Sequence, residues 1–330
     1  MRGLDSPTDS TEWLPAAKGG RLFVRRWVST KPGLEKPRAV LQVVHGMAEH
    51  SLRYERLARC LNAEGIEVWA MDLRGHGRTA DPAVNDPGWG GLAGHCADQD
   101  GFSLVTGDIE ALNRFIMEQQ PGLPLFLLGH SWGSFLVQNY IETHGGQGGI
   151  RLSGCILSGT RGPDGFKIRA GVPVMDFLSR LAGGRRYSPL SRAIADGSYN
   201  KPFRPNRTPF DWLSRDNAEV DKYVADPLCG IFCSSGFYRD LIGLLGHIHR
   251  SEQMDRIDRR LPIYVFSGSA DPVGDMGASP SALADAYRAM GIDNLEFVLY
   301  PDARHEPLNE TNREEVTENL LAWILKHIPV

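Results

Sequence analysis

The chain has 330 residues, a formal net charge of −4 and 42% hydrophobic residues, enough to bury one large core and without the basic excess that a nucleic-acid groove needs. Its five cysteines, Cys60, Cys96, Cys155, Cys229 and Cys233, are an odd number with no Cys-x-x-Cys pair, which argues against a disulfide framework and a zinc site. The first dozen residues lack a signal-peptide core and no run reaches the roughly 18 apolar residues of a membrane span, so a soluble protein of a reducing cytoplasm is expected.

Residues 1–10 are polar and are expected to fray. Stretches 11–16 and 21–28 alternate around Gly19-Gly20 and predict an antiparallel hairpin at a sheet edge. Residues 39–44 form a β-branched apolar run, a central strand, which ends at His45-Gly46-Met47-Ala48-Glu49-His50. A loop at that end of a strand is where an open α/β sheet places its chemistry. A helix follows at 54–64, stopped by Gly65, then a strand at 66–72. Residues 73–100 hold many Gly, Pro and Asp without periodicity and read as a long surface loop, before a helix at 102–119. A buried strand at 123–128, a helix at 132–144 and a strand at 152–158 continue the alternation. After Gly159 the pattern breaks, and 161–236 shows helical patches with no convincing strand, the mark of an inserted cap. A helix from 238, strands at 263–267 and 295–300 and helices at 281–290 and 313–327 complete the chain. Such alternation predicts an α/β fold with a mostly parallel sheet covered by helices on both faces: one core from 1–160 and 237–330, with 161–236 as the cap.

The chemistry centres on Gly129-His130-Ser131-Trp132-Gly133, placed between a predicted strand and a predicted helix. A serine driven through so sharp a turn needs neighbours without side chains two residues before and after, and Gly129 and Gly133 meet that need. The turn lifts the hydroxyl off the sheet and aims the first helix amides at the same spot, as in a nucleophile elbow. A serine hydroxyl is a weak nucleophile, so it needs a base and a carboxylate to hold that base in the right tautomer. His305, in the loop after the last strand, is the candidate base. Asp271, in Gly268-Ser269-Ala270-Asp271-Pro272-Val273 after strand 263–267, is the candidate carboxylate, and Asp302 reads as a loop-former. Ser131, Asp271 and His305 stand in the chain order of an α/β-hydrolase. The oxyanion of acyl transfer needs preset donors, and the backbone N–H groups of Met47 and Trp132 are placed to supply them. That mechanism calls for no cofactor or metal. His76, in Arg74-Gly75-His76-Gly77-Arg78, reads as part of a structural turn.

His-Gly-x-x-Glu-His-x-x-Arg-Tyr at 45–54, Asp-Leu-Arg-Gly-His-Gly-Arg-Thr at 72–79, the elbow, Gly-Ser-x-Asp-Pro-Val at 268–273 and the histidine loop at 301–306 together resemble the monoacylglycerol lipase and bacterial lysophospholipase branch of the α/β-hydrolases. The segment 206–216, with Phe210-Asp211-Trp212, is similar to the cap of bacterial members. The resemblance implies a serine esterase of single-chain lipid esters, monoacylglycerol first, with lysophospholipase, general carboxylesterase and serine aminopeptidase as alternatives, and a non-catalytic ligand-binding protein on the same scaffold as the reading from another class. It also implies that Glu49, Arg53 and Tyr54 lie near the polar part of the substrate. Two positions depart from the branch, which often has Gly where this chain has Ala48 and Met where it has Trp132; a Trp at the acyl pocket would shorten the accepted chain. Finally, residues 161–216 carry eleven Lys or Arg against five Asp. Val174, Phe177, Leu178 and Leu181 recur there at helical spacing beside Arg180, Arg185 and Arg186, which predicts a cap that docks on anionic lipid.

Overall fold

One eight-stranded sheet organises the computed structural model of the protein, which describes residues 9–29, 31–145, 149–163, 166–195 and 197–329. Residues 1–8, part of the stretch expected to fray, lie outside the described residues. The strands are β1 (Ser10–Pro15), β2 (Arg21–Trp27), β3 (Ala39–Val44), β4 (Ile66–Met71), β5 (Leu125–His130), β6 (Gly154–Ser158), β7 (Ile263–Gly268) and β8 (Leu295–Tyr300). Their order is β1-β2-β4-β3-β5-β6-β7-β8. The β1–β2 hairpin joins antiparallel to β4, and every other neighbour pairs parallel. Every residue of β3 to β7 is buried, because a parallel sheet is covered on both faces and its strands read as continuous apolar runs.

The helices are α1 (Glu55–Ala63), α2 (Gly101–Gln119), α3 (Trp132–Thr143), α4 (Phe166–Ala182), α5 (Pro189–Ala195), α6 (Asn217–Ala225), α7 (Ser235–Ile248), α8 (Ser251–Met254), α9 (Ala278–Ala289) and α10 (Arg313–Lys326). Leu112, Phe135, Tyr140, Leu244 and Tyr287 of α2, α3, α7 and α9 pack on one face of the sheet. Leu57 and Leu61 of α1 and Val316 and Trp323 of α10 pack on the other. Helix ends shift from the sequence reading for local reasons. Ser234 caps α7 by accepting a hydrogen bond from the Phe237 amide at 3.1 Å, so that helix begins inside the stretch expected to be cap. Helix α9 starts ahead of 281 because Pro280 is accepted in a first turn, where no amide partner is needed.

Residues 73–100 are a surface loop only in part: 81–84 and 98–100 are exposed, but most of the rest is anchored inside. Arg74, His76, Thr79, Asn85, His95 and Cys96 are buried, and the Arg74 guanidinium donates to Asp108 on α2 at 2.6 Å with both side chains enclosed. Between β6 and α7 the described residues form helices α4, α5 and α6 and no named strand. Helix α4 packs on α7 where Val172 would meet any side chain at Gly246. Its other face is open: Val174, Phe177 and Leu181 are 48%, 64% and 75% exposed, and Leu190, Ile194 and Phe232 are exposed as well. Met175 is buried, and Leu178 packs against the core. Among the described residues, no helix is long and apolar enough to cross a membrane.

Candidate active site

Ser131 sits between the last residue of β5 and the first of α3, with φ 52 and ψ −124. A residue with a Cβ holds that conformation only when its surroundings impose it. Here the Ser131 amide donates to the Ser158 carbonyl at 2.9 Å, and the Ser131 carbonyl accepts from the Ser134 amide at 2.8 Å and the Ser134 hydroxyl at 2.5 Å. The flanking glycines are required by close approach. A Cβ at Gly129 would strike the Gly133 carbonyl, and one at Gly133 would strike the carbonyls of Val44 and His45.

The hydroxyl meets His305, from the loop after β8, which in turn meets Asp271, from the loop after β7. His305 Nε2 lies 2.7 Å from Ser131 Oγ, and His305 Nδ1 lies 3.0 Å from each oxygen of Asp271. Asp271 and His305 are buried. Burial alone would push the Asp271 carboxyl up, but the His305 ring, the Val273 amide and the Ser267 hydroxyl together hold it below its usual value. An ionised Asp271 fixes the proton of a neutral imidazole on Nδ1 and leaves Nε2 free to accept from the serine. Asp302, by contrast, is exposed at φ 56 and takes a turn-forming role.

The His305 ring packs against two other rings. The indole of Trp212, between α5 and α6, lies 5.0 Å from it, and the ring of His130 lies 4.9 Å from it. The Trp212 and Leu213 carbonyls accept from the His305 and Glu306 amides at 3.4 and 2.8 Å, and Arg304 donates to the Asp211 carbonyl. Burial, with His305 adding to it, pushes His130 down to about 4, so it stays neutral near pH 7.

The loop after β3 presents Met47. Trp132, the first residue of α3, presents the other amide. Among the described residues neither N–H donates to a protein acceptor, which leaves both for a ligand. His45 sets the direction of the first: its Nδ1 meets the Gly46 carbonyl at 2.7 Å. In a trans peptide the Met47 N–H then points the opposite way.

Glu49, Arg53 and Tyr54 are brought together, but only Glu49 lines the cavity beside Ser131, a space of about 150 Å³. Glu49 Oε1 accepts from the Gly46 amide at 2.5 Å and from the Tyr54 hydroxyl at 2.9 Å, and Oε2 accepts from Arg53 at 2.6 Å. Arg53 also makes two bonds of 2.7 Å to Glu306. Burial would raise both acids, yet Arg53, with His130 and His45 helping, brings Glu49 down to about 2, and Arg53 likewise lowers Glu306. These residues buttress the loop from behind. Glu306, Trp212 and Tyr223, which line the same cavity, are absent from the sequence reading of the site. Trp212 lies in the 206–216 resemblance and Glu306 at the end of the histidine loop at 301–306, whereas Tyr223 has no signal. The Trp132 indole packs on His76 and Phe237 and does not line the cavity, so the shortened acyl chain expected from it has no basis here.

Among the described residues one group could hold a metal ion, His50, Asp226 and Cys229, whose ligand atoms lie within 4.8 Å of one another. A metal-bound imidazole ordinarily donates its other N–H to an acceptor. His50 Nε2 already meets Asp226 at 2.9 Å, and its buried Nδ1 has no partner, so the pair fits a tie between two segments better than a metal centre.

The family described as serine aminopeptidase, S33 matches residues 35–312. Monoacylglycerol lipase of Mycolicibacterium smegmatis is 29% identical over 295 residues, which cover 88% of this chain and 90% of its own. Monoglyceride lipase of Homo sapiens is 28% identical over 283 residues, 82% of this chain and 76% of its own. Among solved structures, a highly thermostable carboxyl esterase from Bacillus coagulans in complex with glycerol is 28% identical and superposes with a TM-score of 0.86 over 97% of this chain and 99% of its own.

Proposed function

Because the chain belongs to the serine aminopeptidase S33 family of α/β-hydrolases, in its monoacylglycerol-lipase-like branch, we propose that it is a serine hydrolase of single-chain carboxylic esters, monoacylglycerols first, working through an acyl-enzyme. The hydrogen-bonded chain from Ser131 through His305 to Asp271 carries the proposal. His305 Nε2 takes the Ser131 proton as Oγ bonds to the acyl carbon. The carbonyl electron pair moves onto oxygen, where the Met47 and Trp132 amides hold it. The collapsing intermediate expels the alcohol with the proton from His305, and water repeats the cycle to release the acid. Asp271 stays ionised throughout and stabilises the imidazolium. None of these steps uses a cofactor.

Segment 161–236 is read as a cap, since Arg192, Asn200, Phe210, Trp212, Tyr223 and Cys233 from it line the cavity over Ser131. The exposed Val174, Phe177 and Leu181 favour a cap that also rests on lipid aggregates, with Arg180 and Arg186 exposed close by. Arg185 is tied to Asp98 at 2.6 Å and Arg180 to Asp176 at 2.8 Å, so both contribute less free charge than the sequence suggests. Five free cysteines agree with work in a reducing cytoplasm.

The test is a substrate panel with a covalent probe. Monoacylglycerols should be turned over ahead of lysophospholipids and plain p-nitrophenyl esters, and a fluorophosphonate should label Ser131 and nothing else. Ser131→Ala should lose at least about 10³-fold in kcat. Labelling of another residue, or a folded Ser131→Ala variant with near-normal turnover, would overturn the assignment. The family's description also favours a second reading, amide cleavage at a free N-terminus, and aminoacyl p-nitroanilides in the same panel distinguish it.

A further inference from the structure

The loop that presents Met47 is gripped by a residue far along the chain. Ala48 stands at φ 57, in the left-handed region that a residue with a Cβ occupies only under constraint. The constraint is visible at its carbonyl, which accepts from the Tyr223 hydroxyl at 2.8 Å and from the Gly230 amide at 2.9 Å. Both donors lie at and after the end of α6, and the tyrosine is 175 residues away in sequence. Tyr223 is buried, and the Arg53 guanidinium lies over its ring at 4.8 Å. The contact of His50 with Asp226 joins the same two stretches. Nothing within 45–54 satisfies the Ala48 carbonyl, so the strained turn depends on this outside hold.

On the serine-hydrolase reading above, we infer that Tyr223 is a positioning residue of the oxyanion hole: its hydroxyl keeps the Ala48 turn in its strained form and so keeps the Met47 amide aimed at the cavity. Tyr223 also lines the cavity, and simple contact with substrate would give it a role of another kind. The two roles differ in how they depend on residue 48. Glycine accepts a positive φ without strain, so the hydroxyl matters less when the turn no longer needs to be forced. A contact with substrate is indifferent to that change.

The experiment is a double-mutant cycle on a soluble p-nitrophenyl butyrate assay, with melting temperatures to confirm folding and Ser131→Ala run beside it. Tyr223→Phe should lower kcat about 10-fold with KM nearly unchanged, and in the Ala48→Gly background the same change should cost about 2-fold or less. The rate at which a fluorophosphonate labels Ser131 should follow kcat. An equal loss in both backgrounds, or a loss confined to KM, would make Tyr223 a lining residue only, and no loss in either would make its hydroxyl dispensable; each overturns the inference. Turnover retained by Ser131→Ala would instead place the failure with the serine reading. If Tyr223→Phe does not fold by itself, Ala48→Gly should restore both its folding and its kcat, since glycine holds the turn without the hydroxyl, and a double variant that still fails to fold overturns the inference.

Discussion

The Leu73 amide donates to His45 Nε2 at 2.9 Å, and that contact decides which ring nitrogen carries the proton. A backbone N–H can only donate, so Nε2 must be bare and Nδ1 must bear the hydrogen that holds the Gly46 carbonyl. Burial pushes His45 down, which keeps the ring neutral.

His45 should therefore be a pure orienting group. His45→Ala releases the Gly46 carbonyl and lets the Met47 amide turn. Loss of one oxyanion donor costs about 10²–10³ in kcat, and a misaimed one should cost about 10-fold or more, with KM little changed. Steady-state kinetics on a soluble ester measure it, and an unchanged kcat would remove Met47 from the hole.

Asp271→Asn keeps the size of the side chain but can donate to His305 and so favours the wrong tautomer. A drop of about 10⁴ in kcat is the scale for such a change. The fold should survive, since the amide can still accept from the Val273 amide that Asp271 now bonds at 2.8 Å. Circular dichroism beside kinetics separates the two effects.

Acid should unfold the protein through its buried histidines. His76 is pushed down to about 3 by burial and by His45, and His130 to about 4. In the unfolded chain both take up a proton near pH 6.5, so below that value the unfolded state binds more protons and stability falls as pH falls. Urea midpoints at pH 7, 6 and 5 should decline steadily. His76→Gln should flatten the decline whatever it does to the absolute value.

Glu142 works in the opposite direction. Both of its oxygens are buried in α3 without a hydrogen-bond partner among the described residues, and burial pushes it up to about 10. The unfolded carboxyl ionises near 4.5 while the native one keeps its proton, so stability falls as pH rises from 4.5 toward 10. Glu142→Gln should raise the melting temperature at pH 8. The gain should grow with pH at up to about 1.4 kcal/mol per unit; a gain equal at pH 5 and pH 8 would mean that the carboxyl is ionised in the native state.

Phe177→Asp with Leu181→Asp tests lipid docking. The pair should abolish sedimentation with phosphatidylglycerol vesicles and lower turnover of vesicle-borne monoacylglycerol, while sparing a soluble short-chain ester. Salt should weaken binding of the native protein, as charge screening requires. Equal loss on both substrates would show that these side chains serve the fold.

The parallel strands and the elbow are legible in the sequence because their physics is local: continuous apolar runs between short loops, and two glycines where carbonyls crowd a turn. Asp271 and His305 can be placed because both follow strands at one end of the sheet. Long-range polar pairing leaves no such trace. Arg53 meets Glu306 across 253 positions and Tyr223 meets Ala48 across 175, and neither spacing has a period. Residues 73–100 read as surface because Gly, Pro and Asp usually turn outward; here Arg74 is neutralised inside by Asp108, and Asn85 bonds the Arg21 and Thr79 carbonyls. Glu49, Arg53 and Tyr54 are legible as a group, whereas their work as a buttress appears only once Glu306 stands opposite.

The capping of α7 by Ser234 also bears on how this protein could be recombined with its relatives. The Ser234 hydroxyl meets His95 Nδ1 at 2.8 Å, the Ser234 amide donates to the Gly94 carbonyl, and Asp98 binds both Arg185 and His95. Splicing a foreign segment in at residue 236 would cut α7 within its first turn and strand those partners. A chimera that exchanges the segment over the cavity is therefore expected to need residues 94–98 from the same parent as Arg185 and Ser234, although the two stretches are distant in the gene.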